Sequence, residues 1–237
     1  MKKKILTIAV VVALIAIMVG GSLAYFTDND QVTNTFTVGS VKIEIYENDT
    51  ATDEAVRELG TLIPVVNAAD PKNDANYISK SVEVLNTGKN DAYIRTHIAV
   101  PTALVEYLHL DLSASGWTEK TSSTATVDGV AYTVYTYDYD SAVSSGNFTN
   151  ELLTGVYLGS DVDLEENADG HLEFVKRVNG VITHDSDFVA HTKDATGNYT
   201  SAKVNILVAS QAVQTEGSSG ATEALDAGFG TKNPWAA

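Results

Sequence analysis

Apolar and polar positions alternate with a period of two along most of the chain, the pattern of strands with one buried face. In residues 26–38 the even positions include Phe26, Val32, Phe36 and Val38, while the odd positions from Thr27 to Thr37 are all polar. Gly39-Ser40 then shifts the phase, so that Val41, Ile43 and Ile45 share a face opposite Lys42 and Glu44. A bulge or bend at Gly39 accounts for that shift. Further on, Ile78, Val82 and Val84 lie on one face of a strand, and Ala92, Ile94, Ile98 and Val100 on one face of the next. The Gly- and Asn-rich stretch from Asn86 to Asp91 between them predicts an antiparallel pair. His97 falls on the Tyr93/Arg95 side and is expected at the surface.

Turn chemistry marks two more hairpins. Asp128-Gly129, flanked by residues 117–127 and 130–138, suits a type I′ turn, and Asn179-Gly180 does the same between 172–178 and 181–184. Residues 152–158 read as a buried strand, and 203–209 as a last one with Val204, Ile206 and Val208 inward. Residues 47–76 are acidic, contain Pro64 and Pro71, and predict a long connection with one helical turn near 53–59; a short helix is predicted over 102–108. A late helix is expected around Ala221, Ala224 and Leu225, capped by Ser219 and stopped at Gly228. Many short strands with hairpin turns and no alternating βα units define the fold class as all-β: an antiparallel, jelly-roll-like β-sandwich with a short helix near the C-terminus.

The first residues break the pattern. Lys2, Lys3 and Lys4 precede an apolar run from Ile5 to Val19, and Ser22-Leu23-Ala24 puts small residues at the −3 and −1 positions of a cleavage site. The run is short for a span of about 20 residues. A signal peptide over 1–24, cut between Ala24 and Tyr25, is the expectation, with a retained anchor as the alternative. The division that follows is a leader (1–24), an N-terminal strand arm (25–38) and a sandwich domain (39–237). Cleavage would leave 12 basic against 31 acidic residues, a net charge near −19. Such a field disfavours nucleic acid and anionic membranes, and salt should favour association by screening it. The absence of cysteine means that no disulfide contributes, which a chain of this size tolerates.

Chemistry is sparse. His97, His109, His171, His184 and His191 include no pair four apart on a helix. His184 and His191 with Asp185 and Asp187 form the one grouping that resembles a ligand set, and a polar loop after a hairpin is the plainer account. Asp161, Asp163, Glu165, Glu166 and Asp169 before Gly170 could hold calcium through oxygen ligands or form a solvated acidic loop. No serine sits in a Gly-x-Ser-x-Gly elbow. No catalytic residue, cofactor or metal ligand is assigned. Tyr132, Tyr135, Tyr137 and Tyr139 could make a sticky strand on a monomeric adhesin, although core and cross-strand packing is the more ordinary use of such residues.

Three stretches carry a family resemblance: Ala24-Tyr25-Phe26-Thr27-Asp28 with Phe36-Thr37-Val38-Gly39-Ser40-Val41, then Lys80 to Gly88 followed by Asp91-Ala92-Tyr93-Ile94-Arg95, and the segment from Ala209 to Gly230. They resemble the TasA/camelysin family of secreted bacterial proteins, whose precursors are cut by a dedicated signal peptidase. The resemblance is strong at both ends and weak from about 101 to 200. It implies a jelly roll, export to the matrix or surface of a Gram-positive-type bacterium, and assembly into biofilm fibres. In that family's fibres the freed N-terminal strand of one subunit completes the sheet of the next. Here Phe26, Val32, Phe36 and Val38 would be the donor-strand residues. The implied partners are further copies of the chain, joined head to tail, the signal peptidase during export and an accessory matrix protein, with membrane contact confined to the precursor's leader. Two alternatives stand beside this: the arm pairs within its own sheet, or the chain shares the metalloendopeptidase activity attributed to camelysins.

Overall fold

The computed structural model describes residues 27–30, 41–48, 50–51, 61–113 and 115–236, with backbone alone at 27–30, 50–51 and 185–187. In chain order the strands are β1 (Thr27–Asp30), β2 (Ile43–Glu47), β3 (Thr50–Ala51), β4 (Ile78–Asn86), β5 (Ala92–Pro101), β6 (Leu108–Leu112), β7 (Trp117–Glu119) and β8 (Ser123–Val127). They continue as β9 (Val130–Tyr139), β10 (Leu153–Leu158), β11 (Val162–Glu166), β12 (Leu172–Val178), β13 (Val181–Lys193), β14 (Tyr199–Ser201) and β15 (Leu207–Gln214). One α-helix, α1 (Ala221–Phe229), follows.

These strands form three antiparallel sheets. The front sheet runs β1-β15-β5-β9-β7, with β8 also on β9; the back sheet runs β3-β2-β4-β10-β6; a lateral sheet runs β11-β12-β13-β14. From β4 to β10 the longer strands alternate between back and front sheets, the jelly-roll-like feature of the topology. The core lies between these two sheets, where Val82, Val84, Ile94, Ile98, Leu153 and Leu158 are fully buried. Alternation orients the pairs on β4 and β5, whereas on β10 a register irregularity between Leu153 and Gly155 shifts the phase and brings both Leu153 and Leu158 inward. The lateral sheet joins the same core through Val162, Phe174 and Ala190, with Phe174 stacked 6.2 Å from Tyr107.

Both predicted type I′ turns form, with Asp128 and Gly129 at φ 50° and 81°, and Asn179 and Gly180 at 51° and 79°. The second hairpin is longer than predicted, because β13 continues to Lys193 through residues expected to form a loop.

Other expectations are corrected. The strands on either side of 87–91 do not pair: β4 belongs to the back sheet and β5 to the front. The buried Asn86 amide explains the arch, donating to Asn90 O (2.9 Å) and Val143 O (2.8 Å) while its Oδ1 accepts from Gly88 N. With both strands apolar on their inner side, facing one another across the core buries more surface than pairing side by side. The strand expected over 117–127 divides into β7 and β8. The last strand is displaced C-terminally, because Ser210, Gln211 and Gln214 are buried despite their polarity. Ser219 does not cap α1 by hydrogen-bonding its backbone: its hydroxyl meets the Glu223 carboxylate, the N-cap is Gly220, and the helix passes through Gly228 to end at Gly230, φ 66°. In place of the helix over 102–108 there is a 3-10 turn, Thr102–Leu104. The helical turn expected near 53–59 lies outside the described residues.

His97 is also corrected: it is buried, 1% exposed. The outer face of β5 is covered by α1 and the C-terminal segment, with Trp235 edge-on to the His97 ring at 6.4 Å.

Candidate functional site

The features with functional potential are two opposite flanks of the sandwich and the polar cluster beneath α1. On the first flank, β1 pairs antiparallel with β15, placing Thr27 opposite Val213 and Asp30 opposite Ser210. β1 is the outermost strand of the front sheet, and β15 separates it from β5. Of the residues predicted to act here, Ala24, Tyr25, Phe26, Val32, Phe36 and Val38 lie outside the described residues.

β15 is held from behind by buried polar contacts. Thr96 and Ser210 hydroxyls share a hydrogen bond of 2.9 Å. His97 meets Thr136 Oγ1 at 2.9 Å through Nδ1 and Gln211 Oε1 at 3.1 Å through Nε2. Burial pushes the His97 pKa down to about 4. Beside it, Arg95 donates to both carboxylate oxygens of Asp138 (2.6 and 3.0 Å), to Asp226 Oδ1 (2.5 Å) and to Gly230 O (2.8 Å). Burial alone would weaken the charge on Asp226, but the Arg95 and Lys120 cations outweigh it and hold the carboxyl below the usual range. Val213 packs with Ala221, Ala224 and Leu225, so α1 backs the strand that carries β1.

On the opposite flank the back sheet ends at β6, which pairs only with β10 among the described strands. An open groove of about 300 Å³ runs between β6 and the front sheet, lined by Val105, Leu108, Leu110, Leu112, Tyr135 and Tyr137. Burial pushes the phenols of Tyr135 and Tyr137 up, with Glu119 adding to the effect, so both stay neutral. Tyr132 and Tyr137 are buried, and Tyr135 and Tyr139 pack on the core, so these tyrosines serve packing first.

The sequence-derived ligand candidates are dispersed. His184 and His191 sit opposite Lys176 and Leu172, four residues or about 13 Å apart along β12, and their rings pack on different partners, Tyr107 and Tyr199, so they do not converge on one point. The side chains of Asp185 and Asp187 lie outside the described residues. His109 stacks on Tyr157 at 5.0 Å, and His171 Nδ1 accepts from Lys193 N. Asp163, Glu165 and Glu166 of the acidic stretch lie on β11, whereas Asp161 and Asp169 fall in the turns that flank it: Arg177 engages Asp163 and Glu165, Lys176 lies 3.6 Å from Asp161, and Lys193 pairs with Glu166. These carboxylates are thus neutralised across the sheet rather than pointed at one cation. Among the described residues no group of three or more His, Asp or Glu side chains could hold a metal ion.

Three antiparallel sheets, two of them facing across one core, with a peripheral N-terminal strand, define an all-β sandwich protein. Residues 1–64 match the family model described as camelysin metallo-endopeptidase, so the N-terminal quarter of the chain is similar to that family. That match takes in the residues expected to form a leader and an arm, together with β1, β2 and β3. No curated protein and no solved structure matches the chain. The metal implied by the family description does not fit the donor set, because the described histidines are scattered and the nearby carboxylates are ion-paired. Among the described residues no helix is long and apolar enough to cross a membrane.

Proposed function

We propose that this chain is a secreted structural subunit whose copies join head to tail through the N-terminal strand to build extracellular fibres. The observation that carries this reading is the position of β1. It is a four-residue strand at the edge of a sheet, with β15 as its strand neighbour. An edge strand is paired along one side only and so has half the backbone ladder of an inner strand to hold it. An identical element that can leave one copy and pair with another links subunits at low cost, and a head-to-tail link that does not close gives a filament. The match to the family model covers the same segment and supports an exported or surface protein. Signal cleavage after Ala24 would free the arm in this reading.

The test compares the mature chain with a version lacking residues 25–38, by size-exclusion chromatography and negative-stain microscopy. Filaments from the first and a folded monomer from the second are expected. Monomers from both at high concentration would overturn the proposal. The family description favours a second reading, an endopeptidase. Casein hydrolysis that a chelator stops and zinc restores would establish it.

A further inference from the structure

The outer face of the back sheet carries a row of rings that the core does not use. Leu108, Leu110 and Leu112 of β6 turn toward the core, so period two puts His109 and Asp111 on the opposite face. His109 lies directly across from Tyr157 of β10, and Tyr77, just before β4, flanks Tyr157 on its other side. The ring centroids of Tyr77 and Tyr157 are 6.1 Å apart. Those of Tyr157 and His109 are 5.0 Å apart, with the planes 19° from parallel. Full face-to-face contact would bring parallel rings to ~3.5–4.0 Å, so these two overlap only in part. His109 is exposed, and Tyr77 and Tyr157 are half-buried.

Several contacts hold the row in place. The Tyr77 hydroxyl donates to Asp111 Oδ2 at 2.7 Å, and Lys72 Nζ reaches the same oxygen at 2.8 Å. Gly155 lies under the Tyr77 ring, where a Cβ would collide with the phenol; a glycine in mid-strand lets the ring lie against the backbone. The segment that delivers Lys72 and Tyr77 is fixed by Asp74, whose carboxylate accepts from the backbone N–H groups of Val66, Asn67 and Asn76 at 2.8, 2.8 and 2.9 Å. The Lys72 side chain is 60% exposed, so a cation and an anion stand together beside the rings.

We propose that this face binds a neutral, extended, β-linked glycan, an inference that does not rest on the strand-exchange reading. A pyranose ring presents C–H groups on its two faces and hydroxyls around its rim. The C–H faces pack on aromatic rings, and each rim hydroxyl both donates and accepts, matching the Lys72–Asp111 pair. With its two centroid separations the row is at most about 11 Å long, more than one sugar ring covers, which selects a chain over a monosaccharide. A sheet face suits a ribbon-like polymer, whereas a compact ligand is held by a concave pocket. Neutrality follows from charge, since 31 acidic against 15 basic residues oppose an anionic polymer. An apolar protein surface laid here would strip water from Lys72 and Asp111, while sugar hydroxyls replace it.

The test titrates cellohexaose and N-acetylchitohexaose onto the mature chain by calorimetry, with polygalacturonate as the anionic control. One of the two neutral hexamers should bind with a Kd of about 1 mM or tighter, and its monosaccharide at least about tenfold more weakly. Tyr157→Ala should weaken the hexamer by at least about tenfold. If that variant fails to fold, proton NMR of the wild type keeps the test decisive: the hexamer should shift the His109 ring resonances and leave those of His97, buried on the front sheet, in place. Absence of binding by both hexamers would overturn the proposal. So would tighter binding of polygalacturonate than of either, wild-type affinity in folded Tyr157→Ala, or His109 resonances that stay put at saturation.

Discussion

Arg95 and His97 are adjacent on one face of β5, and both are covered by α1 and the C-terminal segment. The Arg95 guanidinium and the Asp138 carboxylate are 2% and 1% exposed, so each depends on the other to be charged there. Removing one partner of a buried pair strands the other, at about 3–5 kcal/mol. Arg95→Met should destabilise the protein by that amount in urea unfolding, whereas Asp226→Asn, at a carboxylate 39% exposed, should cost about 1 kcal/mol or less. His97 makes a separate prediction about acid. Its folded pKa is depressed by burial to about 4, against 6.5 for the free group. The unfolded chain therefore binds the proton first, and stability present above pH 6.5 is lost as pH falls toward 4, by about 3 kcal/mol at most. His97→Gln should flatten that part of the stability profile, while a slope unchanged by the substitution would refute the assignment. Neither residue was legible in the sequence. Alternation gave the face of β5 correctly, but not that a helix more than a hundred residues later would cover it.

Local signals served well where turn chemistry was decisive, as at Asp128-Gly129 and Asn179-Gly180, whose positive φ values a type I′ turn requires. They failed where pairing is a long-range matter. The pattern in β4 and β5 is the same for a hairpin and for two strands facing each other across a core, and the Asn86 hydrogen bonds decide between these. β15 was misplaced because burial on both faces removes the alternation on which the reading depends. In the proposed assembly the decisive element is β1, and its pairing can be fixed chemically because the chain has no cysteine. Thr27 and Val213 are direct partners, so their Cα atoms lie at the 4.5–5.5 Å of an antiparallel pair, within disulfide range. Oxidised Thr27→Cys/Val213→Cys should remain monomeric, and reduction should restore filaments. Equal filament growth in both states would show that β1 need not leave β15.

At the scale of the molecule, the sequence offers residues 25–38 as a strand for an open edge, yet cannot show where an open edge lies. That depends on which strands end a sheet, and β6 ends one only because of how distant segments are ordered. Charge acts at the same scale. With cleavage at Ala24 each copy would carry a net charge near −19, so approach of two copies is opposed until counterions screen it. His109 and Glu119 line the β6 groove beside its leucines and tyrosines, so its wall is mixed, and salt acts chiefly on the long-range approach of two copies. Raising ionic strength from about 10 mM to about 150 mM shortens the Debye length from ~30 to ~8 Å, less than the width of a subunit. Filament growth, followed by light scattering, should therefore accelerate over that range, while dissociation of preformed filaments changes little. If added salt instead slowed growth, attraction between charged groups would have to drive assembly, which two copies of like net charge do not predict.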